Sequence, residues 1–317
     1  MRALVWDGAR ARVVEDAPDP YPGEGQAIVR VLRAGVCSTD LEIVSGYLGF
    51  QGIPGHEFVG RVESGPPDLV GARVVGEINL ACGRCAVCDA GRSRHCASRT
   101  VLGILGADGA FAERLRLPVG NLHRVPDAID DDTAIFVEPL AAAHRAAEQT
   151  AHLTGSNSLV IGAGKLGLLV AQVLRHRGDQ VEVIARRPQA AQIASEIGVA
   201  SSASLEKAGS WDLVVEATGS SAGLAIALRA VRPEGTIVLK STVAGHHDLD
   251  LAPLVIDEVT VIGSRCGAFP PALRSLASGE IAVRPLIEAT LPLSEAVDAL
   301  RHAALPGARK ILIDPGC

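Results

Sequence analysis

The feature that most constrains the fold is a regular alternation of apolar runs and amphipathic stretches that begins at Ser158. The apolar runs read SLVIG, QVEVIA, DLVVEA and GTIVLK, and the stretches between them, about residues 165–176, 189–197 and 222–230, have helical spacing. Strands that alternate with helices form a parallel sheet wound by right-handed crossovers. The sequence therefore predicts a doubly wound α/β domain.

A glycine-rich loop opens the first of these helices. Gly162, Gly164 and Gly167 follow the run SLVI in the segment VIGAGKLG, which also contains Lys165 and Leu166. Such glycines provide a tight turn, close approach of the backbone to a pyrophosphate, and close packing of helix on strand. The amino end of the helix favours an anion. We predict a Rossmann-type dinucleotide-binding domain over residues 140–264, with this loop as part of the cofactor site.

The end of the second strand of this domain indicates which dinucleotide is bound. NAD enzymes place an Asp or Glu there, about 20 residues after the glycine loop, for the ribose hydroxyls. This chain reads EVIARRPQ and has Ala185, Arg186 and Arg187 instead. Guanidinium groups suit bidentate contact with a 2'-phosphate. The residues favour NADP(H); NAD(H) stays the alternative if the two arginines are only solvated residues at the helix entry.

Four cysteines crowd into the segment CGRCAVCDAGRSRHC. Cys82, Cys85, Cys88 and Cys96 form a C-x2-C-x2-C-x7-C pattern, which lets one loop surround a tetrahedral zinc ion. A bacterial iron–sulfur motif would close with C-x3-C-P, whereas Ala97 follows the last cysteine here. We predict a structural zinc lobe at about residues 80–98, with no open coordination position; unrelated buried thiols are the alternative.

The remaining sequence is β-rich and carries no sign of nucleic-acid or membrane binding. Short strand-like runs at residues 27–31, 58–63 and 73–78 are separated by turn clusters. The net charge is −6 with both signs interspersed, so no basic nucleic-acid surface is expected. The amino terminus lacks the layout of an export signal, and the most apolar stretch contains glycines and Lys165. We expect a cytoplasmic protein, in which clustered cysteines indicate metal rather than disulfides.

Scattered residues are candidates for a second metal site. They are Cys37 in GVCSTD, His56 in GHEFVG and Glu138 in VEPLAAAHRA, and each alone has a structural explanation. The order of GVCSTD, IPGHEFVGRV, the cysteine lobe, VEPL and the glycine loop resembles the zinc-containing branch of the medium-chain dehydrogenase/reductase family over essentially the whole chain. That resemblance implies a GroES-like β-rich catalytic domain, residues 1–139 plus 265–317, into which the Rossmann domain is inserted.

The resemblance also implies roles for individual residues. Cys37, His56 and Glu138 would bind a catalytic zinc, with Glu57 orienting the site or binding directly; sorbitol and threonine dehydrogenases likewise have EP at the third position. Three protein ligands leave a fourth position for an alcohol oxygen, whose pKa the metal lowers. Thr39 would take the substrate proton. Many relatives have a histidine five residues after the cysteine, where this chain has Glu42, so the route of proton exit stays open.

Two further segments resemble cofactor-binding parts of the family. Thr218 and Gly219 in VVEATGS would lie near the nicotinamide ribose, and Arg309 or Lys310 in ARKILI would face the pyrophosphate. We predict an NADP(H)- or NAD(H)-dependent alcohol dehydrogenase with one catalytic and one structural zinc, acting as a homodimer or homotetramer on a small alcohol or carbonyl compound. The alternatives are a zinc-free enone or quinone reductase and a non-catalytic nucleotide-sensing zinc protein.

Overall fold

The structure is a computed structural model that describes residues 1–242 and 249–316. Its Cα packing divides the chain into two compact units, Met1–Glu138 with Ile287–Cys317, and Pro139–Leu286. The segment 265–286, which the sequence analysis assigns to the catalytic domain, packs with the second unit. Hydrogen bonds explain this packing. Gln172 Nε2 donates to the Ala282 carbonyl, the Ala282 amide donates to Gln172 Oε1, and Ser275 Oγ lies 3.0 Å from His144 Nε2.

The helices and strands have the following bounds. The first part of the first unit contains β1 (Ala3–Trp6), β2 (Ala11–Val14), β3 (Gln26–Gly35), α1 (Ser38–Ile43), β4 (Glu57–Ser64), β5 (Arg73–Gly76), β6 (Asn79–Leu80), α2 (Ala86–Asp89), β7 (Thr100–Leu102), β8 (Gly106–Ala107), β9 (Arg114–Pro118), β10 (Leu122–Arg124) and α3 (Asp131–Ala134). Helix α4 (Val137–Gln149) leads into the second unit, which contains β11 (Asn157–Ile161), α5 (Lys165–Arg177), β12 (Gln180–Ile184), α6 (Pro188–Glu196), β13 (Ala200–Ser202), β14 (Trp211–Glu216), α7 (Ala222–Ala230), β15 (Val231–Leu239), α8 (Ala252–Ile256), β16 (Thr260–Gly263) and α9 (Phe269–Ala277). The returning segment of the first unit contains β17 (Ile287–Pro292), α10 (Ala296–Ala303) and β18 (Lys310–Asp314).

The first unit is built on a mixed, mainly antiparallel sheet. Within the described residues its strands follow the order β10-β5-β4-β3-β18-β17, and β9 also pairs with β3. Strand β3 alternates as expected for one buried face, since Val29 and Val31 are buried while Arg30 is exposed. The returning strand β18 pairs antiparallel with the end of β3, Leu312 opposite Gly35. The carboxyl-terminal segment thereby completes the sheet that carries the site described below.

The second unit is a parallel sheet with the predicted doubly wound order. Its described strands run β13-β12-β11-β14-β15-β16, and every neighbouring pair is parallel. This is the order in which ligands bind outside the carboxyl ends of the central strands, where the winding reverses. Strand β11 occupies that central position, and its Leu159 and Ile161 are buried against Val214 and Ile237. The sheet prediction is confirmed.

The helices are short. Among the described residues, none combines the length and the apolarity that crossing a membrane would require.

Candidate metal centres and dinucleotide site

The first candidate site begins where β3 ends and α1 starts. Cys37 precedes the first residue of α1 with extended backbone angles, φ −101° and ψ 160°. Its backbone N–H donates to Asp40 Oδ2 at 2.8 Å, which satisfies one of the amides that a helix amino end leaves without a partner. Thr39 Oγ1 lies 3.9 Å from Cys37 Sγ. The helix start therefore fixes the thiol and the hydroxyl beside each other.

His56 directly precedes strand β4 and lies beside the thiol of Cys37. It follows Gly55, whose φ of +100° and contact with the Phe111 ring leave no room for a side chain. His56 Nδ1 lies 3.1 Å from the fully buried Asp40 Oδ1, which leaves Nε2 as the ring nitrogen for a metal. Burial lowers the pKa of His56, but the charge and hydrogen bond of Asp40, helped by Cys37, outweigh it and raise the pKa well above its usual value.

Glu57, the first residue of β4, is the third member of the cluster. Its side chain is fully buried; Oε2 accepts from Lys310 Nζ, while Oε1 is buried without a hydrogen-bond partner. Burial lowers the pKa of Lys310, but the charges of Glu57, Cys37 and Asp40 raise it by more, so its pKa lies above the usual value. A buried carboxylate oxygen without a partner costs about 1–3 kcal/mol and is the kind of atom that a metal ion satisfies.

The ligand atoms of Cys37, His56 and Glu57 all lie within 4.8 Å of one another. A thiolate, an imidazole and a carboxylate are a donor set that zinc accepts, with room for one more ligand. Glu138 stands in the first turn of α4 and is not part of this group. Glu42 is exposed on α1. The structure thus brings together Cys37 and His56, as predicted, with the carboxylate neighbour Glu57.

The four cysteines converge around a second centre. Cys82 Sγ lies 3.5 Å from Cys96 Sγ and 4.0 Å from Cys88 Sγ, and Cys85 Sγ lies 3.5 Å from Cys88 Sγ and 3.9 Å from Cys96 Sγ. A tetrahedron with metal–sulfur bonds of about 2.3 Å has edges of about 3.8 Å. The sulfur positions therefore fit a zinc ion with four protein ligands.

The pKa values of the thiols in this cluster are shifted in opposite directions. A hydrogen bond with the backbone of Cys82 lowers the pKa of Cys96 to about 6. A hydrogen bond with the backbone of Cys88 lowers the pKa of Cys85. Desolvation raises the pKa of Cys88 to about 11. Thiolate is the form that binds metal, so a bound ion would relieve the cost of holding four sulfurs together.

The glycine loop of the second unit has the geometry that its sequence predicts. Gly162 has a φ of +108°, and a Cβ there would lie 2.7 Å from the Ala217 carbonyl oxygen. A Cβ at Gly167 would overlap the Gly162 carbonyl oxygen, whereas one at Gly164 would meet nothing within 4 Å. Gly164 is the residue before α5, so open space lies at the amino end of that helix. The loop leaves room there for a pyrophosphate.

Two family models match the chain. Residues 23–127 match the alcohol dehydrogenase GroES-like domain, and residues 131–304, more than half of the chain, match the glucose dehydrogenase C-terminus. The chain belongs to the zinc-containing branch of the medium-chain dehydrogenase/reductase family. Members of this branch are oxidoreductases that act on alcohols with NAD(H) or NADP(H). The GroES-like and Rossmann-type fold prediction is confirmed.

Individual relatives and solved structures agree with this membership. L-threonine 3-dehydrogenase from Streptomyces avermitilis is 40% identical over 63% of this chain, although the aligned part spans only 61% of that enzyme. L-threonine 3-dehydrogenase from Saccharopolyspora erythraea is 31% identical, with 99% of each chain covered. A Sinorhizobium meliloti protein named a zinc-binding dehydrogenase, solved with NADP, is 27% identical with a TM-score of 0.90 over 99% of each chain.

The remaining predicted cofactor residues of this chain lie on loops. Arg186 and Arg187 are exposed at the end of β12, where Arg187 directly precedes α6. Thr218 and Gly219 follow β14, and the Ala217 amide donates to the Ile161 carbonyl, which sets them beside the glycine loop. The Arg309 amide donates to Glu288 Oε2 at 2.7 Å.

Two residues that hold the candidate site in place carry no sequence motif of their own. Asp40 orients His56 through its contact with Nδ1. Glu216 Oε1 accepts hydrogen bonds from the amide and the hydroxyl of Thr218, at 2.7 and 2.6 Å. The expectation that Lys310 could face the pyrophosphate is wrong, because its ammonium is buried against Glu57. The aspartate three residues after Cys37 was the available signal for Asp40.

Proposed function

We propose that this chain is a zinc-dependent dehydrogenase that transfers hydride between an alcohol, or the matching aldehyde or ketone, and NADP(H). The observation that carries this proposal is the group formed by half-buried Cys37 with the buried His56 and Glu57, whose ligand atoms lie within 4.8 Å of one another. A metal-binding imidazole usually donates its other ring N–H to a carboxylate, and Asp40 stands in that position for His56. The unpartnered Glu57 Oε1 further supports a cation at this place.

The roles of the side chains follow from their positions. Zinc, held by Cys37, His56 and a glutamate, supplies a Lewis acid that makes the alcohol proton easier to remove. Asp40 holds His56 in the tautomer with a proton on Nδ1. Thr39 is the group beside the thiol that can accept the substrate proton, and the exposed Glu42 on the same helix offers a route from there to solvent.

Two glutamates are candidates for the third zinc ligand. Glu138 is favoured by the family resemblance, and Glu57 by its place beside the thiol and the imidazole. We propose Glu138 as the ligand and Glu57 as the adjacent carboxylate. The matched pair Glu138→Gln and Glu57→Gln tests this: Glu138→Gln should remove the metal of this site, whereas Glu57→Gln should retain it with altered affinity. The reverse result would make Glu57 the ligand.

The central experiment combines zinc content with turnover. Zinc should be measured by mass spectrometry on purified chain, together with oxidation of a panel of alcohols and polyols. We expect one zinc in each centre in the native chain, and the loss of one zinc with all activity in Cys37→Ser/His56→Ala. Activity that survives this double change would refute the mechanism. A native chain with no zinc would favour a zinc-free reductase, and zinc in the cysteine lobe alone would favour a nucleotide sensor.

The cofactor is proposed to be NADP(H), bound at the glycine loop with Lys165, Leu166, Thr218, Gly219 and Arg309 around it. The exposed Arg186 and Arg187 support this choice, because no carboxylate follows β12 before α6. Arg186→Ala/Arg187→Ala should raise the KM for NADP⁺ at least about tenfold, about 1.4 kcal/mol of binding, and leave that for NAD⁺ nearly unchanged. Arg175→Ala, on the distant end of α5, is the control. Equal effects on both cofactors would contradict the assignment.

We propose that the enzyme is a cytoplasmic homodimer or homotetramer. Strand β16 lies at the edge of the parallel sheet, and Val261 on it is exposed. Val255 and Ile256 on the preceding helix are 79% and 76% exposed, so exposed apolar residues stand on both the last strand of the described sheet and the helix that precedes it in sequence. Light scattering should give a multimer for the native chain and a smaller species for Val255→Glu/Val261→Glu. A monomeric native chain would contradict the proposal.

A further inference from the structure

Glu57 and Lys310 form a buried pair that the metal ligands alone do not explain. Both side chains are almost completely excluded from solvent, at 0% and 1% exposure. Lys310 Nζ donates to Glu57 Oε2 and to the Val36 carbonyl at 3.3 Å, and it lies 5.8 Å from the centre of the Phe136 ring. The ammonium therefore has a fixed position on the side of Glu57 Oε2.

The sheet explains why two residues 253 positions apart can meet. Glu57 on β4 stands directly opposite Gly35 on β3, and Gly35 stands opposite Leu312 on β18. Lys310 lies two residues before Leu312 and so faces the same side of the sheet. Glu57 and Lys310 thus reach toward each other across β3, over a residue that has no side chain.

Gly35 is required for this arrangement. A Cβ at that position would lie 2.7 Å from Glu57 Oε2, 3.4 Å from Lys310 Cδ and 2.5 Å from a methyl group of Ile135. The φ of Gly35 is not in the left-handed region, so space rather than backbone conformation is what this glycine provides. Any larger residue would push the carboxylate away from the ammonium.

We propose that Lys310 is a positioning residue which holds the Glu57 carboxylate back from the metal and so keeps the fourth coordination position open for the substrate. The inference rests on the proposed zinc site. A carboxylate can bind a metal through one oxygen or through both. A carboxylate oxygen of Glu57 lies within 4.8 Å of the ligand atoms of Cys37 and His56, close enough to reach a metal that those two residues bind. With Oε2 bound to Lys310, the Glu57 carboxylate stays beside the site of Cys37, His56 and Glu138 and does not enter it. Without the ammonium, the carboxylate is free to bind the metal and fill the substrate's place.

The test uses Co²⁺, whose visible spectrum reports coordination number and ligands. The spectrum of His56→Ala, which retains the four-cysteine cluster, is subtracted so that the remaining bands belong to the Cys37–His56 site. We expect Lys310→Met to retain cobalt at this site but to shift and weaken its bands, and to lower kcat at least about tenfold. In the Glu57→Gln background the same change should shift nothing and alter kcat less than about threefold, because only the paired carboxylate is restrained.

Gly35→Ala provides a second approach that leaves both charged residues in place. Its methyl group should separate Glu57 from Lys310 and produce the spectral change of Lys310→Met. The proposal is overturned if Lys310→Met and Gly35→Ala both give the native spectrum, or if either loses cobalt from this site while the cysteine cluster keeps its own. A spectrum of His56→Ala identical to that of the native chain would instead refute the proposed metal site itself.

Discussion

Replacing Asp40 with asparagine should weaken metal binding at the Cys37–His56 site without changing the shape of the side chain. Asp40 is fully buried and uses both oxygens: Oδ2 accepts from the Cys37 amide at 2.8 Å, and Oδ1 pairs with His56 Nδ1 at 3.1 Å. An asparagine has only one acceptor oxygen, so it cannot serve both partners in the same way.

Each orientation of the new amide has a cost. If its oxygen faces the Cys37 N–H, its NH2 group faces His56 Nδ1, which must then accept, so the ring proton moves to Nε2 and blocks the metal-binding nitrogen. If the oxygen faces His56, the NH2 group opposes the Cys37 N–H, and a buried donor is left without an acceptor at about 1–3 kcal/mol. Because about 1.4 kcal/mol corresponds to a factor of ten, the affinity should fall about 10- to 100-fold.

Competition with a chromophoric chelator measures this affinity, and the four-cysteine cluster serves as an internal reference. Asp108→Asn is the matched control, since Asp108 Oδ1 accepts from the Ile53 amide on the approach to His56 but touches no ligand. Only the Cys37–His56 site of Asp40→Asn should weaken. If Asp40→Asn binds metal there as tightly as the native chain, Asp40 does not select the tautomer of His56.

Further predictions concern the glycine loop, the cysteine lobe and pH. Gly167→Ala should lower stability by about 1–3 kcal/mol in thermal unfolding and weaken dinucleotide binding, because its Cβ would overlap the Gly162 carbonyl, whereas Gly164→Ala should spare stability and weaken binding only. Cys96→Ser should release one zinc and expose the lobe to proteolysis without removing the metal at His56; protection equal to native would contradict this. Asp40 raises the pKa of His56 against the effect of burial, so the imidazolium of the metal-free chain loses its proton at a higher pH than an ordinary histidine does. The stability from this pair is therefore full below about pH 6.5 and is lost as pH rises through the folded pKa, while metal affinity rises over the same range; calorimetry in two buffers should detect proton release on metal binding.

Much of the fold and the four-cysteine cluster could be predicted because the signals are local in sequence. The strand–helix alternation gives the parallel sheet, and β11 ends where the sequence SLVI ends. The spacing of Cys82, Cys85, Cys88 and Cys96 is short enough that a single loop brings the sulfurs within 3.5–4.0 Å. In both cases neighbouring residues determine the geometry, so the pattern is sufficient.

What could not be predicted depends on contacts between distant segments. Lys310 meets Glu57 only because β18 joins the sheet beside β3 and Gly35 leaves space. No sequence pattern contains this information. The predicted place of the segment 265–286 in the catalytic domain differs from the observed packing for the same reason, since its anchor is Gln172 on α5, 110 residues away from Ala282.

The buried oxygen of Glu57 beside Cys37 and His56 gives a reason to regard the metal as part of the folded state. Asp40, Glu57 and the thiol of Cys37 lie together in the first unit, where the buried ammonium of Lys310 faces Glu57 and Asp40 is shared between His56 and a backbone amide. Glu57 Oε1 is left with no partner. A buried carboxylate oxygen without a partner destabilises a fold unless a further donor or cation joins it. A divalent ion at this place would satisfy the oxygen, so removing the ion should cost stability as well as turnover.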